Sequence, residues 1–270
     1  MTFDPTFLYE TYPRIEAEFA AELDQSLDPR GPDVMMRVVS ELGLRPDSVA
    51  VDVGCKDGSH AFRLATHHGL RVLGLDPVQR HLDLARQARR SQPDVIARKV
   101  SFERGTATGI PLGDGQVDVV WSLDVLGHVP DVAAAFAEFN RVLRPGGHVV
   151  AHQVLAAPSF SGADAEWLTT MRGMVAASLA PATHDAAIAA SGLAVVESID
   201  LGGEWGEYAE ERDGEVSRAM LRVARMRREP DRLRARFGSQ AFDTMLATSL
   251  WSVHRLLGDL PGRLDVLVKP

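Results

Sequence analysis

The stretch Ser48 to Ser59, SVAVDVGCKDGS, constrains the fold more than any other part of the chain. An apolar run (Val49, Ala50, Val51, Val53) carries an acid, Asp52, near its end and then breaks into a short loop bracketed by Gly54 and Gly58. A helical pattern from His60 to His68 follows. Strand, glycine turn and helix N-terminus thus succeed one another. Such a junction leaves backbone N–H groups unpaired at the positive end of a helix dipole, and glycines let a ligand approach the backbone closely. The stretch reads either as a nucleotide-type pocket or as a plain structural turn.

The chain around it alternates regularly. The strand Val49 to Val53 leads to a helix Ala61 to His67, and the strand Arg71 to Leu75 leads to a helix Val78 to Arg89. A short strand follows near Val100 to Glu103, then a strand Val117 to Leu123, a helix Val132 to Leu143 ended by Arg144-Pro145-Gly146-Gly147, and a strand His148 to Leu155. Strands separated by helical lengths imply parallel pairing with right-handed crossovers, hence a doubly wound α/β sheet. Almost fully apolar strands agree with burial on both faces.

Outside this core the rhythm differs. Phe7, Leu8, Tyr12, Ile15, Phe19 and Leu23 recur at helical spacing, with Pro13 as a kink or boundary. Asp33 is placed to cap a helix Val34 to Leu42, which Gly43 closes. Past Leu155 come a loop with an amphipathic helix around Trp167, Leu168, Met171 and Met174, a helix Asp185 to Ala190, and a sixth strand Leu193 to Leu201. From Gly202 to Leu260 the pattern is almost wholly helical, too long for a connection, before a last strand at Arg263 to Val268. The expected division is an N-terminal helical segment covering the site (1–45), a core (46–201), a helical cap insertion (202–261) and the final strand of the core sheet (262–270).

Composition narrows the partners. A net charge of −8 argues against nucleic acid, and the runs Arg86 to Arg90 and Arg218 to Arg236 read as solvated helix faces. No long apolar run suggests a membrane span, and the acidic start lacks the order of a signal peptide, so the expected setting is cytoplasmic. The single cysteine, Cys55, excludes an internal disulfide framework and a cysteine metal cluster. A small molecule is the expected partner, with no nucleic acid and no membrane; homo-oligomerisation stays open.

Four motifs in order sharpen this. VDVGCKDG, LDPV, GQVDVVWSLDVLGHV and RVLRPGGHVV together resemble the class I S-adenosylmethionine-dependent methyltransferases, of the small-molecule, type 11-like kind, over roughly Ala50 to Val154. The resemblance implies a Rossmann-like seven-stranded sheet with an antiparallel last strand, N-terminal helices and a helical cap inserted before that strand. It implies S-adenosylmethionine as cofactor and S-adenosylhomocysteine as product. Cofactor contacts would come from Asp52, Gly54, Cys55 and Gly58, from Asp76 and Pro77 at the ribose, from Thr106 and Ala107 near the adenine, and from Ser122 and Leu123 at the end of the fourth strand. One departure stands out: the middle glycine of the family's GxGxG pattern is Lys56 here.

The acceptor side is less determined. A methyl on a sulfonium is already activated, so an enzyme mainly aligns the acceptor and removes a proton where needed. Candidate catalytic groups are His128 past the fourth strand, His152 at the end of the fifth, and Glu166 beside Trp167; each also has a structural reading, as loop-shaping histidine or surface carboxylate. Candidate substrate contacts are Tyr9, Tyr12, Gln153, Trp167, Trp205, Tyr208, Trp251 and His254. No metal is expected unless the substrate bears a diphosphate. The function expected is methyl transfer to a small, fairly apolar metabolite of specialised metabolism, of isoprenoid or polyketide type, with carbon, oxygen and nitrogen all open as acceptor atoms. The alternative is a repurposed methyltransferase fold acting as a cyclase or non-catalytic binding protein.

Overall fold

The structure, a computed structural model, describes residues 4–270. A π-helical turn, Phe7–Thr11, runs into α1 (Tyr12–Leu23), and α2 (Asp33–Glu41) follows. The alternating core is β1 (Val49–Val53), α3 (Ser59–His68), β2 (Arg71–Asp76), α4 (Gln79–Arg90), the single turn α5 (Asp94–Ala97), β3 (Val100–Arg104), β4 (Val117–Leu123), α6 (Val132–Val142) and β5 (Leu143–Val154). Then come α7 (Ala163–Met171), α8 (Pro181–Ser191) and β6 (Ala194–Gly202). A four-helix insertion, α9 (Glu204–Asp213), α10 (Glu215–Arg228), α11 (Pro230–Phe237) and α12 (Ser239–Leu256), leads to β7 (Gly262–Val268).

The strands form one sheet in the order β3-β2-β1-β4-β5-β7-β6. β3, β2, β1, β4 and β5 pair in parallel, whereas β7 runs antiparallel to both β5 and β6. Alternation along each strand separates two cores. Ala50, Val72, Val100, Val119, Trp121 and Val150 face α2, α3 and α4 on one side. Val51, Val53, Leu75, Val120 and Val149 face Phe136 and Phe139 of α6 and Ile188 of α8 on the other. Strands buried on both faces carry continuous apolar runs, which is why their bounds are readable in the chain. Successive strands build outward from β1 to β3 and then cross back to β4, so the order reverses between β1 and β4. The crevice for a ligand opens at the carboxyl ends of those two strands.

Several expectations need correction. β5 begins at Leu143, not His148, and takes Arg144-Pro145-Gly146-Gly147 into the strand, with a register irregularity opposite Val117 and Val119 of β4. Asp33 is the first residue of α2 rather than its cap, and its carboxylate accepts from Arg63. The 1–45 segment does not behave as one cover. α2 buries Val34, Met35, Met36, Val38 and Val39 in the sheet core, while α1 has no buried residue. Tyr9 and Tyr12 are 76% and 37% exposed, so neither meets the crevice in this structure. Pro13 lies in the first turn of α1, just past the change from π-helix to α-helix at Thr11 and Tyr12, so it marks a boundary within a helical run that continues through it.

Candidate functional site

The glycine loop is built from left-handed backbone. Gly54, Lys56 and Gly58 have φ of +71°, +49° and +81°. A Cβ on Gly54 would lie 2.4 Å from a Val125 methyl, and one on Gly58 would lie 2.4 Å from the Phe102 ring. That ring also fills the space over Gly74, so the loop, β2 and β3 interlock through one phenyl group. Lys56 adopts the same conformation without a glycine's freedom, at a cost of about 1–3 kcal/mol that its surroundings must offset. They do so by direct bonds: Cys55 N–H donates to Leu75 O at 2.9 Å, and Lys56 N–H to Asp76 Oδ2 at 3.0 Å. Gly58→Ala is expected to lower stability by about 2–4 kcal/mol, from positive φ and the collision together. Urea denaturation measures this; an unchanged midpoint would contradict the interlock.

Two buried carboxylates frame the loop. Asp76, 3% exposed at the end of β2, accepts from the N–H groups of Lys56 and Val78 (2.9 Å) and meets His81 Nδ1 at 3.1 Å. Asp52, 2% exposed near the end of β1, keeps Oδ2 without a partner. Burial pushes its carboxyl up to about 8; Asp76 and Asp57 add to the rise, and the Ala61 N–H and Lys56 oppose it. Asp52, Gly54, Cys55, Lys56, His60, Leu123 and Asp124 line a cleft of about 100 Å³ at the β1/β4 reversal. Cys55 is 3% exposed, and burial raises its thiol above the ordinary range, so it is an inert spacer.

Across the cleft, Asp124 closes β4 in a left-handed conformation, φ +53°. Its N–H donates to His152 O at 3.0 Å, and its Oδ1 meets His152 Nδ1 at 2.9 Å. Burial would raise the Asp124 carboxyl, but His152, Arg255 and Lys56 outweigh it and hold it well below the usual carboxylate range. His152 itself is fully buried, stacked on Trp205 with ring centres 3.7 Å apart. Its Nε2 faces the backbone of Gly262, where an added Cβ would come within 2.7 Å. The ring reaches the cleft only through Asp124; it positions that carboxylate and has no open face for an acceptor.

The remaining predicted residues divide clearly. Leu123 lines the cleft; Ser122 beside it is fully buried, with Oγ unpartnered. Pro77 is exposed beyond Asp76. Thr106 is exposed and Ala107 buried in a turn bridged to Gly109, whose entry, Gly105 N–H, is 3.4 Å from Asp76 O. His128 is exposed, and its Nδ1 meets Gly173 O at 2.8 Å, a loop tie. Glu166 is exposed on the rim of a separate groove with Phe160, Thr169 and Leu179, and Trp167 beside it is half-buried; Glu166 does not line the cleft.

Gln153, expected as a substrate contact, lies inside the sheet, 1% exposed, donating to Asp265 Oδ2 at 3.1 Å. Tyr208 packs on Gly31, and its hydroxyl accepts from Arg212 at 2.6 Å, so it fastens the segment before α2 rather than facing the cleft. His254 is held by Asp259 at 2.8 Å and packs against Phe160. Trp205 and Trp251 are buried platforms, each with an arginine stacked over it. His60, His81, Asp124, Arg172 and Arg255 were missed, although Asp124 follows Leu123 and Arg255 follows His254, both named from the sequence. Among the described residues no group of three or more His, Cys, Asp or Glu side chains is placed to hold a metal ion, and no helix is long and apolar enough to cross a membrane.

Comparison with known proteins places this geometry. Residues 51–151 match the model of a family described as a methyltransferase domain. Over 130 residues the chain is 35% identical to the 27-O-demethylrifamycin SV methyltransferase of Amycolatopsis mediterranei (strain S699), covering 48% of this chain and 47% of that protein. The chain thus spans less than half the length of the first curated relatives it matches. Among solved structures, phosphoethanolamine N-methyltransferase 2 of Haemonchus contortus, in complex with S-adenosyl-L-methionine, aligns with a TM-score of 0.68 at 19% identity, covering 100% of this chain and 60% of that one. The [4+2]-cyclase SpnF aligns with a TM-score of 0.66 at 17% identity, over 97% and 96%.

Proposed function

We propose, from the match of residues 51–151 to a family described as a methyltransferase domain, that the chain transfers the methyl group of S-adenosylmethionine to a small acceptor enclosed between the sheet edge and the helices of 202–261. One observation carries the reading: a buried carboxylate oxygen, Asp52 Oδ2, stands unpartnered at the mouth of a glycine cradle that tolerates no side chain at Gly54 or Gly58. A buried acceptor atom without a donor is costly, and a cationic amine offsets that cost.

The residues fit the cofactor. Asp76 would take the ribose hydroxyls. A carboxylate offers about four acceptor positions, and three are occupied by Lys56, Val78 and His81, so His81, the one side-chain donor among them, gives way for both hydroxyls to bond. Gly54 and Gly58 let the nucleoside pass close to the backbone, and Leu123 closes the cleft toward the acceptor. When bound, the cofactor supplies a methyl group already activated on a sulfonium. The chain's own part is to align the acceptor against it. Of the groups nearest the cleft, Asp124 is held ionised by His152, too weak a base to take the acceptor's proton, which leaves to solvent.

The acceptor we favour is a small metabolite of specialised metabolism, supported by the partial identity to the rifamycin-series enzyme. A second reading is supported by the near full-length fold likeness to the SpnF cyclase: a protein that keeps the cleft but transfers no methyl. Titration calorimetry with S-adenosylmethionine and S-adenosylhomocysteine tests the first part. Both are expected to bind at micromolar concentration, and no heat from either at high micromolar concentration sinks the reading. Mass-spectrometric detection of S-adenosylhomocysteine, formed only when metabolite extracts are added, separates transferase from cyclase.

A further inference from the structure

Two guanidinium groups beside the cleft have more donors than the protein uses. On α12, Thr248, Trp251 and Arg255 are spaced three and four residues apart and share one helix face. Arg172, just past α7, lies over that face. Its guanidinium is 5.7 Å from the Trp251 ring centre, and Nη1 donates to Thr248 Oγ1 at 3.2 Å. Its Nε is buried without a partner. Arg255 stands 5.7 Å from the Trp205 ring centre and approaches Asp124 Oδ2 only to 3.8 Å, too far for a hydrogen bond. A guanidinium carries five N–H donors in a planar fork. The Arg255 side chain is 23% exposed and Arg172 is half-buried, yet the protein satisfies one donor of Arg172 and none of Arg255 among the described residues.

Charge points the same way. Arg172, Arg255 and Asp124 lie close enough for their charges to act on one another, and Lys56 acts on Asp124 from the glycine loop. One carboxylate, already engaged by His152, therefore faces three cations. The aromatic neighbours matter as well: each guanidinium lies within cation–π range of an indole, an attraction that uses none of its N–H donors. Planar forks with free edges match carboxylate and phosphate oxygens two at a time.

We propose that the acceptor carries a carboxylate or phosphate group, gripped by Arg172 and Arg255 at the cleft edge, with its organic part against Trp251. The proposal rests on the methyl-transfer reading for the word acceptor, but the anion site stands on its own geometry. It places the anion beside Asp124, at the side of the cleft opposite the Asp76 ribose position.

The test uses the full chain and three probes, benzoate, phenyl phosphate and the neutral benzyl alcohol, titrated calorimetrically with and without saturating S-adenosylhomocysteine. At least one anion is expected to bind more tightly than benzyl alcohol and to weaken about tenfold or more in Arg172→Gln and in Arg255→Gln. Lysine at either position, which keeps charge and most of the stem, is expected to recover part of the loss and guards against misfolding of the glutamine variants. Benzyl alcohol should respond to none of these changes. The anion whose affinity falls further identifies the headgroup. Anions binding no better than the alcohol, or equally to wild type and both variants, overturn the proposal. So does a loss confined to S-adenosylhomocysteine, which would assign the arginines to the cofactor's own carboxylate. Arginine-dependent anion binding without any S-adenosylhomocysteine binding would instead remove the methyl-transfer reading and leave the anion site standing.

Discussion

Asp76→Ala is expected to weaken S-adenosylhomocysteine binding by more than about tenfold, because a carboxylate accepting from hydroxyls contributes charge-assisted bonds that alanine cannot replace. The same substitution strips the partner from two backbone N–H groups, those of Lys56 and Val78. An unsatisfied buried donor costs about 1–3 kcal/mol, so a stability loss of about 2–4 kcal/mol should accompany the binding loss. Asp76→Asn separates the two effects. Its amide oxygen still accepts from one backbone N–H and most of the fold stability returns, whereas its NH₂ meets the hydroxyls with a donor and affinity stays low. Calorimetry run at a temperature where circular dichroism shows both variants folded gives the answer. Unchanged affinity in the alanine variant would remove Asp76 from the site.

Asp52→Asn is expected to stabilise the free protein at alkaline pH and to weaken cofactor binding. The folded protein holds the Asp52 carboxyl near 8, chiefly through burial, against about 3.9 in an unfolded chain. Between those values the folded state binds the extra proton, so stability falls as pH rises. The favourable contribution is complete below the unfolded value and is lost as pH passes the folded one. At about 1.4 kcal/mol per pH unit, wild type should lose on the order of 5 kcal/mol between pH 4 and pH 8. Asparagine, which does not titrate, removes that slope: the variant matches wild type near pH 5 and exceeds it near pH 8.5 in urea midpoint. Parallel midpoint curves from pH 5 to 9 would contradict the burial argument. Binding supplies a second check. A cationic amine beside Asp52 favours the carboxylate, so binding at pH 7 should release a proton, seen as a buffer-dependent calorimetric enthalpy. Asp52→Asn should abolish it.

Both carboxylates sit at strand ends, and that position is why they were legible in the chain. The strands Val49–Val53 and Val117–Leu123 have the bounds their apolar runs predict. Burial on both faces makes most of a strand apolar, so a buried acid near its carboxyl end, Asp52 in β1 or Asp76 in β2, stands out in the chain. Gly54 and Gly58 were equally legible, because left-handed backbone in contact with Val125 and Phe102 excludes any side chain. Lys56 shows the limit of that rule: the chain accepts a left-handed lysine where bonds to its neighbours hold it.

The acceptor side was misread where local pattern stood in for tertiary position. His152 was expected as a catalytic group and Gln153 as a substrate contact, but β5 is covered on both faces, by Trp205 on one and by the Asp265 cluster on the other. His128 and Glu166, flagged for their chemistry, end up tying a loop and rimming a separate groove. The exposed Tyr9 and Tyr12 belong to a helix that buries none of its residues here.

Apolar runs and local turn geometry thus mark the strands and the glycine cradle in the chain, and the resemblance of the motifs marks the two acids, since each depends on neighbours within one turn or one strand. The assembly of Asp124, His152, Arg172, Trp205, Trp251 and Arg255 depends on strand order and on how the insertion folds back over the sheet edge. No periodicity links those positions along the chain. Only packing brings them together, and the charge they share beside the cleft exists in the folded molecule alone.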